Sequence, residues 1–130
     1  MASRNSGTTC AAMPESAPLK PSEVLERAAD LIEPEGRWTQ GEFGRDARGR
    51  YVLSIELHKD KATCFCALGA LIRAGRLGGS DGLDEFPPVA FLERVVADDA
   101  SAWNDADDRT QAEAVAALRK AAELARSEGQ

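Results

Sequence analysis

Aromatic residues make up only 5% of this 130-residue chain. Whatever core it buries must therefore be built from Leu, Val, Ile and Ala. A core of that kind favours closely packed helices, because Ala is the best helix former and the bulky sheet-formers are scarce. The length suits one domain and is enough to bury a modest core without disulfides or metals. The hydrophobic share of 43% and charged share of 29% are ordinary for a globular chain. The expected fold is α+β and mainly helical: about four helices packed with one small β-hairpin, in a single globular domain over residues 20–128.

Charge and cysteine usage narrow the function classes. The net charge of -6 repels phosphate backbones and anionic bilayers, so neither nucleic acid nor membrane is expected as a partner. Arg45, Arg48 and Arg50 are clustered, but Glu42 and Asp46 sit among them, as in a solvated turn. Three cysteines, Cys10, Cys64 and Cys66, are an odd number, and the Cys64–Cys66 spacing is poor for a bridge. A reducing compartment fits, and no stretch approaches the ~20 apolar residues of a membrane span. The expected location is the cytoplasm.

Hydrophobic periodicity places the elements. Residues 1–19 are small, polar and proline-punctuated, which reads as a disordered tail with Cys10 incidental to it. A first helix is expected from Pro21 to Ile32, with Pro21 in the first turn and Val24, Ala28, Leu31 and Ile32 on one face. Residues 36–44 are glycine-broken and hold Trp38 and Phe43. Tyr51 to Leu57 alternates like a short strand, and Trp38 to Phe43 is its expected hairpin arm. A second helix is expected from about Ala62 to Ala74, capped by Asp60 or Thr63, with Gly69 permitting a close helix crossing. Pro87 and Pro88 open a third helix to about Ala97. Asp98 to Arg109 reads as an acidic connector holding Trp103. Thr110 and Glu113 match a capping box at the start of the last helix.

Three segments carry a resemblance. They are Gly36-Arg37-Trp38-Thr39-Gln40-Gly41, then Phe65-Cys66-Ala67-Leu68-Gly69-Ala70-Leu71, then Trp103-Asn104-Asp105 leading into Arg109-Thr110. Together they resemble a family of small bacterial and phage-borne proteins of unknown function. Its pattern is a tryptophan segment, an aromatic-Cys-x-x-Gly-Ala-Leu helix, and a Trp-Asn-Asp loop before an Arg-Thr-capped helix. The resemblance spans most of residues 20–126. Phe65 stands where the pattern has a tryptophan, and Cys64 is additional. The resemblance implies no activity. It marks Trp38, Cys66, Gly69, Trp103, Asn104, Asp105 and Arg109 as the residues to follow.

Each of those has a chemical and a structural reading. Cys66 in the first turn of a helix has the dipole and free N–H groups that favour a thiolate, with Asp105 or Asn104 and the single histidine, His58, as potential partners. The plainer reading makes Cys66 a small buried hydrophobe. His58, Cys64 and Cys66, with Cys10 or an Asp, have an unusual spacing for zinc, and no metal or cofactor is expected. Trp38, Trp103, Asn104 and Arg109 either line a ligand or partner site or serve the loop, with Asn104 and Asp105 bonding backbone as Asx residues do. The acidic run fails the EF-hand template: counted from Asp105, position six is Thr110 and position twelve Ala116. No P-loop, dinucleotide fingerprint or nucleophile elbow is present. The leading expectation is a small interaction or regulatory protein with a protein partner and an exposed apolar patch, for which the third helix around Phe86, Val89 and Phe91 is the candidate. The alternative is a cysteine-dependent enzyme or small-ligand domain using Cys66 with Asn104 and Asp105.

Overall fold

The computed structural model describes residues 19–130; Cys10 and the expected tail other than Leu19 lie outside the described residues. The order is α1 (Pro21–Ile32), β1 (Gly44–Arg45), β2 (Cys64–Phe65), α2 (Ala67–Ala74), α3 (Pro87–Val96), α4 (Ala100–Asn104) and α5 (Gln111–Ser127). Single turns of 3-10 helix lie at Ser54–Glu56 and Leu83–Glu85. The fold is α+β and mainly helical, with one small two-stranded antiparallel sheet.

The long helices start and stop where local chemistry says they should. Pro21 opens α1, and the Glu23 carboxylate accepts from the Lys20 N–H at 2.8 Å. Thr110 and Glu113 form the expected capping box on α5. Gln111 then reaches back across the fold, its amide donating to the Ile32 and Pro34 carbonyls at 2.7 Å each and satisfying the open end of α1. α1 packs on α5 and α2, and α5 packs on α3. Their shared interior is one cluster of small and aliphatic residues, including Leu25, Ala28 and Ile32 of α1, Leu71 and Ile72 of α2, Leu92 of α3, and Leu118, Ala121 and Ala122 of α5. Leu19 packs against its edge. Alanines at the α1–α5 contact let the two backbones approach, which is how a chain poor in aromatics fills its interior.

The middle of the chain departs from its periodicity. The second helix begins at Ala67, five residues later than its apolar stripe suggests. Cys64 and Phe65 are extended because two other segments, residues 37–39 and 43–45, claim their backbone. Gly44 and Arg45 pair with them antiparallel. The Phe65 N–H donates to the Arg37 carbonyl at 2.9 Å, and the Phe65 carbonyl accepts from Thr39 N–H at 3.0 Å. The Cys66 N–H donates to the Phe43 carbonyl at 3.2 Å. These tertiary bonds override helix propensity. The helix cap is consequently Cys66, and neither Asp60 nor Thr63.

Tyr51 to Leu57 is not a strand. Tyr51 meets Arg45 in an isolated bridge, and Ser54–Glu56 coils into the 3-10 turn. That turn breaks the two-residue period. Val52 and Leu57 are buried, whereas Tyr51, Leu53 and Ile55 point to solvent at 71%, 60% and 60% exposure. The third helix forms as expected, but Val89 and Phe91 are buried and Phe86 is half-buried against Gly75, so no apolar patch lies there. The acidic connector holds the short helix α4, capped by Asp99.

Candidate functional site

The residues that the three motifs mark come together. The last residue of α4, Asn104, is 1% exposed and is the hub. Its Oδ1 accepts from Trp38 Nε1 at 2.8 Å and from the Ala67 N–H at 3.0 Å. Its Nδ2 donates to the Thr39 carbonyl at 3.2 Å and to Asp105 Oδ1 at 2.9 Å. Both donor protons and both acceptor positions of the amide are therefore used. One side chain joins the tryptophan segment, the start of α2 and the end of α4.

A second layer surrounds it. Asp105 Oδ1 also accepts from the Gly41 N–H at 3.0 Å. Gly41 lies at φ +88, where only glycine is unstrained. Gln40 Nε2 donates to the Asn104 and Ala106 carbonyls at 2.9 and 2.8 Å. Arg109 Nε donates to the Trp103 carbonyl at 2.9 Å, and its guanidinium lies 4.0 Å over the Trp103 ring. Trp103 is thus a half-buried platform for Arg109 at the margin of the core, and the ion partner of Arg109 is Glu113. Gln40, Thr39 and Gly41 belong to the site although only Trp38 of that segment stood out by residue type. Their adjacency to Trp38 was the available signal.

Cys66 sits beside this hub, 7% exposed. Its Sγ accepts from the Gly69 N–H at 3.2 Å, doing what a Ser or Thr does at an N-cap. Burial pushes the thiol up to about 11; the Gly69 N–H pulls the other way and does not offset it, and the Asp105 carboxylate adds to the rise. The helix start does not yield a thiolate at neutral pH. Gly69 is needed one turn on: a β-carbon there would stand 1.9 Å from the Phe43 carbonyl oxygen. The close approach Gly69 permits is to a loop backbone, where a helix crossing was expected.

A hollow of about 100 Å³ lies at this point, lined by Gly41, Glu42, Phe43, Cys66, Ser101 and Asp105. It is smaller than ordinary ligand pockets. His58, the histidine offered as a partner for Cys66, does not join them. It is exposed, does not line the hollow, and its carbonyl accepts from Arg73 at the far end of α2. Cys64 and Cys66 are unbridged. Among the described residues no group of three or more His, Cys, Asp or Glu side chains is placed to hold a metal ion. Among them, too, no helix is long and apolar enough to cross a membrane.

A mainly helical domain with a glycine-packed Cys-capped helix and a Trp–Asn–Asp knot around one buried amide defines the class. The chain belongs to the family described as "Family of unknown function (DUF6197)", whose sequence model matches residues 16–124. Neither the curated proteins nor the solved structures contain a significant match to it.

Proposed function

We propose that this is a small interaction or regulatory protein of bacterial or phage origin, acting in the cytoplasm by binding a protein partner rather than by catalysis. The observation that carries the reading is the exposed apolar strip of Tyr51, Leu53 and Ile55. Three large apolar side chains held in water within five residues are costly unless something covers them. The strip lies in a stretch, residues 45–61, where Arg45, Arg48, Arg50, Lys59 and Lys61 outnumber Asp46, Glu56 and Asp60 in an otherwise acidic chain. A partner surface that is apolar and rimmed by carboxylates complements it.

The alternative, a cysteine-dependent enzyme, has the Cys66–Asp105 hollow in its favour. Against it stand a protonated thiol and an Asn104 whose polar atoms are all used in holding the fold. The test is affinity capture from bacterial lysate with the native chain and with Leu53→Ser/Ile55→Ser, followed by binding measurements on the recovered partner. The expected result is a partner whose binding falls in the double variant and weakens with added salt, while Asp105→Ala leaves it unchanged. A partner indifferent to the strip and sensitive to Cys66 or Asp105 would overturn the reading.

A further inference from the structure

We infer that the backbone edge at Tyr51 and Leu53 takes an extended peptide segment of the partner as an added antiparallel strand. This deepens the reading above and rests on it: the apolar strip is the surface, and strand addition is the way a partner is held there.

Hydrogen bonding leaves that edge open. The Val52 N–H donates to the Gly44 carbonyl at 3.0 Å, and the Asp46 N–H donates to the Arg50 carbonyl at 2.9 Å. These two bonds flank the bridge between Arg45 and Tyr51, which is therefore a non-hydrogen-bonded pair. In such a pair the N–H and C=O of each residue point away from the other strand. Arg45 turns its carbonyl toward the β2 side, where it accepts from the Thr63 N–H at 2.8 Å. Tyr51 turns its N–H and carbonyl outward, and neither has a partner among the described residues. Leu53 faces the same way. Its carbonyl accepts from the Glu56 N–H at 2.8 Å, and its N–H has no partner among the described residues. Two donors and one acceptor thus stand along the edge, beside the exposed Tyr51 and Leu53 side chains. Sheet edges are ordinarily covered or blunted by proline or charge, whereas the side chains of these two residues are apolar.

The open groups define the occupant. A peptide residue set opposite Tyr51 makes two main-chain bonds, and the residue two before it accepts a third from the Leu53 N–H. Those two residues place their side chains on the face of Tyr51 and Leu53, so both are apolar. A groove of about 590 Å³ borders Tyr51 and is lined in part by Asp46, Arg48, Arg50, Glu56 and Lys61. Arg50 pairs with Asp46 and Lys61 with Glu56, while Arg48 has no ion pair among the described residues. One carboxylate on the peptide complements Arg48. A second copy of this chain is the poorer occupant: its own Leu53 carbonyl is already engaged, and each copy carries a net charge of -6.

The experiment selects peptides from a random library on the full chain and follows the recovered sequences, as synthetic peptides, by affinity and by amide hydrogen exchange of the protein. The recovered sequences are expected to alternate apolar residues and to carry a carboxylate, and the bound peptide should slow exchange at the Tyr51 and Leu53 N–H groups. Two substitutions at one position separate backbone from side chain. Leu53 lies at φ -66 and ψ 149, a backbone that proline takes without strain, so Leu53→Pro removes the N–H and keeps the chain path. Leu53→Ala removes the side chain and keeps the N–H. Both should hold the Tm near the native value, and Leu53→Pro should bind about fivefold more weakly than Leu53→Ala, the equivalent of one backbone hydrogen bond. Arg48→Gln should weaken binding further at low salt than at high salt. Two outcomes would overturn strand addition and leave the apolar strip as the contact: Leu53→Ala weakening binding as much as Leu53→Pro, or exchange at Tyr51 and Leu53 unchanged in the complex. Recovery of no peptide, or of peptides indifferent to both substitutions, would remove the strip as well. A dimer that forms as concentration rises and is lost in Leu53→Pro would assign the edge to a second copy and overturn the peptide.

Discussion

Two regions of this molecule use their conspicuous residues in opposite ways. Around Asn104, the residue types that suggest chemistry (a cysteine, an amide, a carboxylate and two tryptophans) serve to join segments far apart in sequence. Asn104 alone bonds to Trp38, Thr39, Ala67 and Asp105. In residues 45–61 the bonds are mostly local. Asp46 accepts from the Arg48 and Arg50 N–H groups at 2.9 Å each, Lys61 pairs with Glu56, and the apolar side chains that suggest a core strand face water. A buried polar group is stabilising only when fully partnered, so the knot is closed to substitution. A locally bonded loop has no such constraint, and its surface is free to serve a partner.

The strongest way to break the contrast is at Asn104. Asn104→Ala leaves the Trp38 indole N–H, the Ala67 N–H and the Thr39 carbonyl without partners inside the protein. Each buried group of this kind costs ~1–3 kcal/mol. We expect a loss of about 4 kcal/mol in chemical denaturation, with Trp38 fluorescence moving toward that of a solvated indole. A loss below ~1 kcal/mol would mean that the knot is dispensable to the fold and that its residues serve chemistry instead.

That asymmetry also explains what was legible in the sequence. The bounds of α1, α3 and α5 rest on Pro21, Pro87 and the Thr110–Glu113 box, all local signals, and these could be read directly. The motif residues Trp38, Cys66, Asn104 and Asp105 could be named because their types are unusual in a chain so rich in Ala and Leu. What they do could not, because it depends on bonds such as Trp38 to Asn104, 66 residues apart. The same non-local bonding held Cys64 and Phe65 extended, against an apolar stripe that reads as helix. Tyr51 to Leu57 misled for a different reason: Val52, tied by its N–H to the Gly44 carbonyl, is the inward residue, so the alternation is present with its faces exchanged, and the 3-10 turn at Ser54–Glu56 ends it before Leu57 turns inward. Arg76 gave no signal at all: the left-handed position after α2 falls one residue beyond Gly75, the residue type that ordinarily takes it.

A smaller effect is expected at Cys66, and it separates a structural sulfur from a reactive one. Cys66→Ala removes the side chain that accepts from Gly69, and loss of an N-cap costs ~1 kcal/mol. Cys66→Ser keeps an acceptor there and should recover most of that loss. The pH dependence has a definite sign. The native thiol is raised from 9.0 to about 11 by burial, so between those values the folded chain holds a proton that the unfolded chain has released. The thiol's contribution to stability is fully present below pH 9 and is lost as pH rises through 11. In Cys66→Ser that loss should be absent, leaving only what other groups contribute. Alkylation followed by mass spectrometry, with Cys10 and Cys64 changed to Ser, should show Cys66 unmodified at pH 7 until the protein unfolds. Rapid labelling at pH 7 would mark an activated thiolate and revive the catalytic reading.

The smallest effect is expected at the strip, and its smallness is informative. Leu53 and Ile55 are each 60% exposed, so folding removes little of their surface from water, and exposed substitutions usually move stability by less than ~0.5 kcal/mol. Ile55 lies against Gly79, where its Cγ2 would stand 3.0 Å from a β-carbon. Leu53→Ser/Ile55→Ser should therefore leave the Tm within about 2 °C of the native value while reducing the retention of the protein on a hydrophobic-interaction column. A drop of several degrees would place the strip in the fold's own packing, as its alternation first suggests. It would then belong with the Asn104 knot as a structural device, and the partner surface would have to be sought elsewhere. An unchanged Tm with reduced retention leaves the apolar strip as surface that folding does not use.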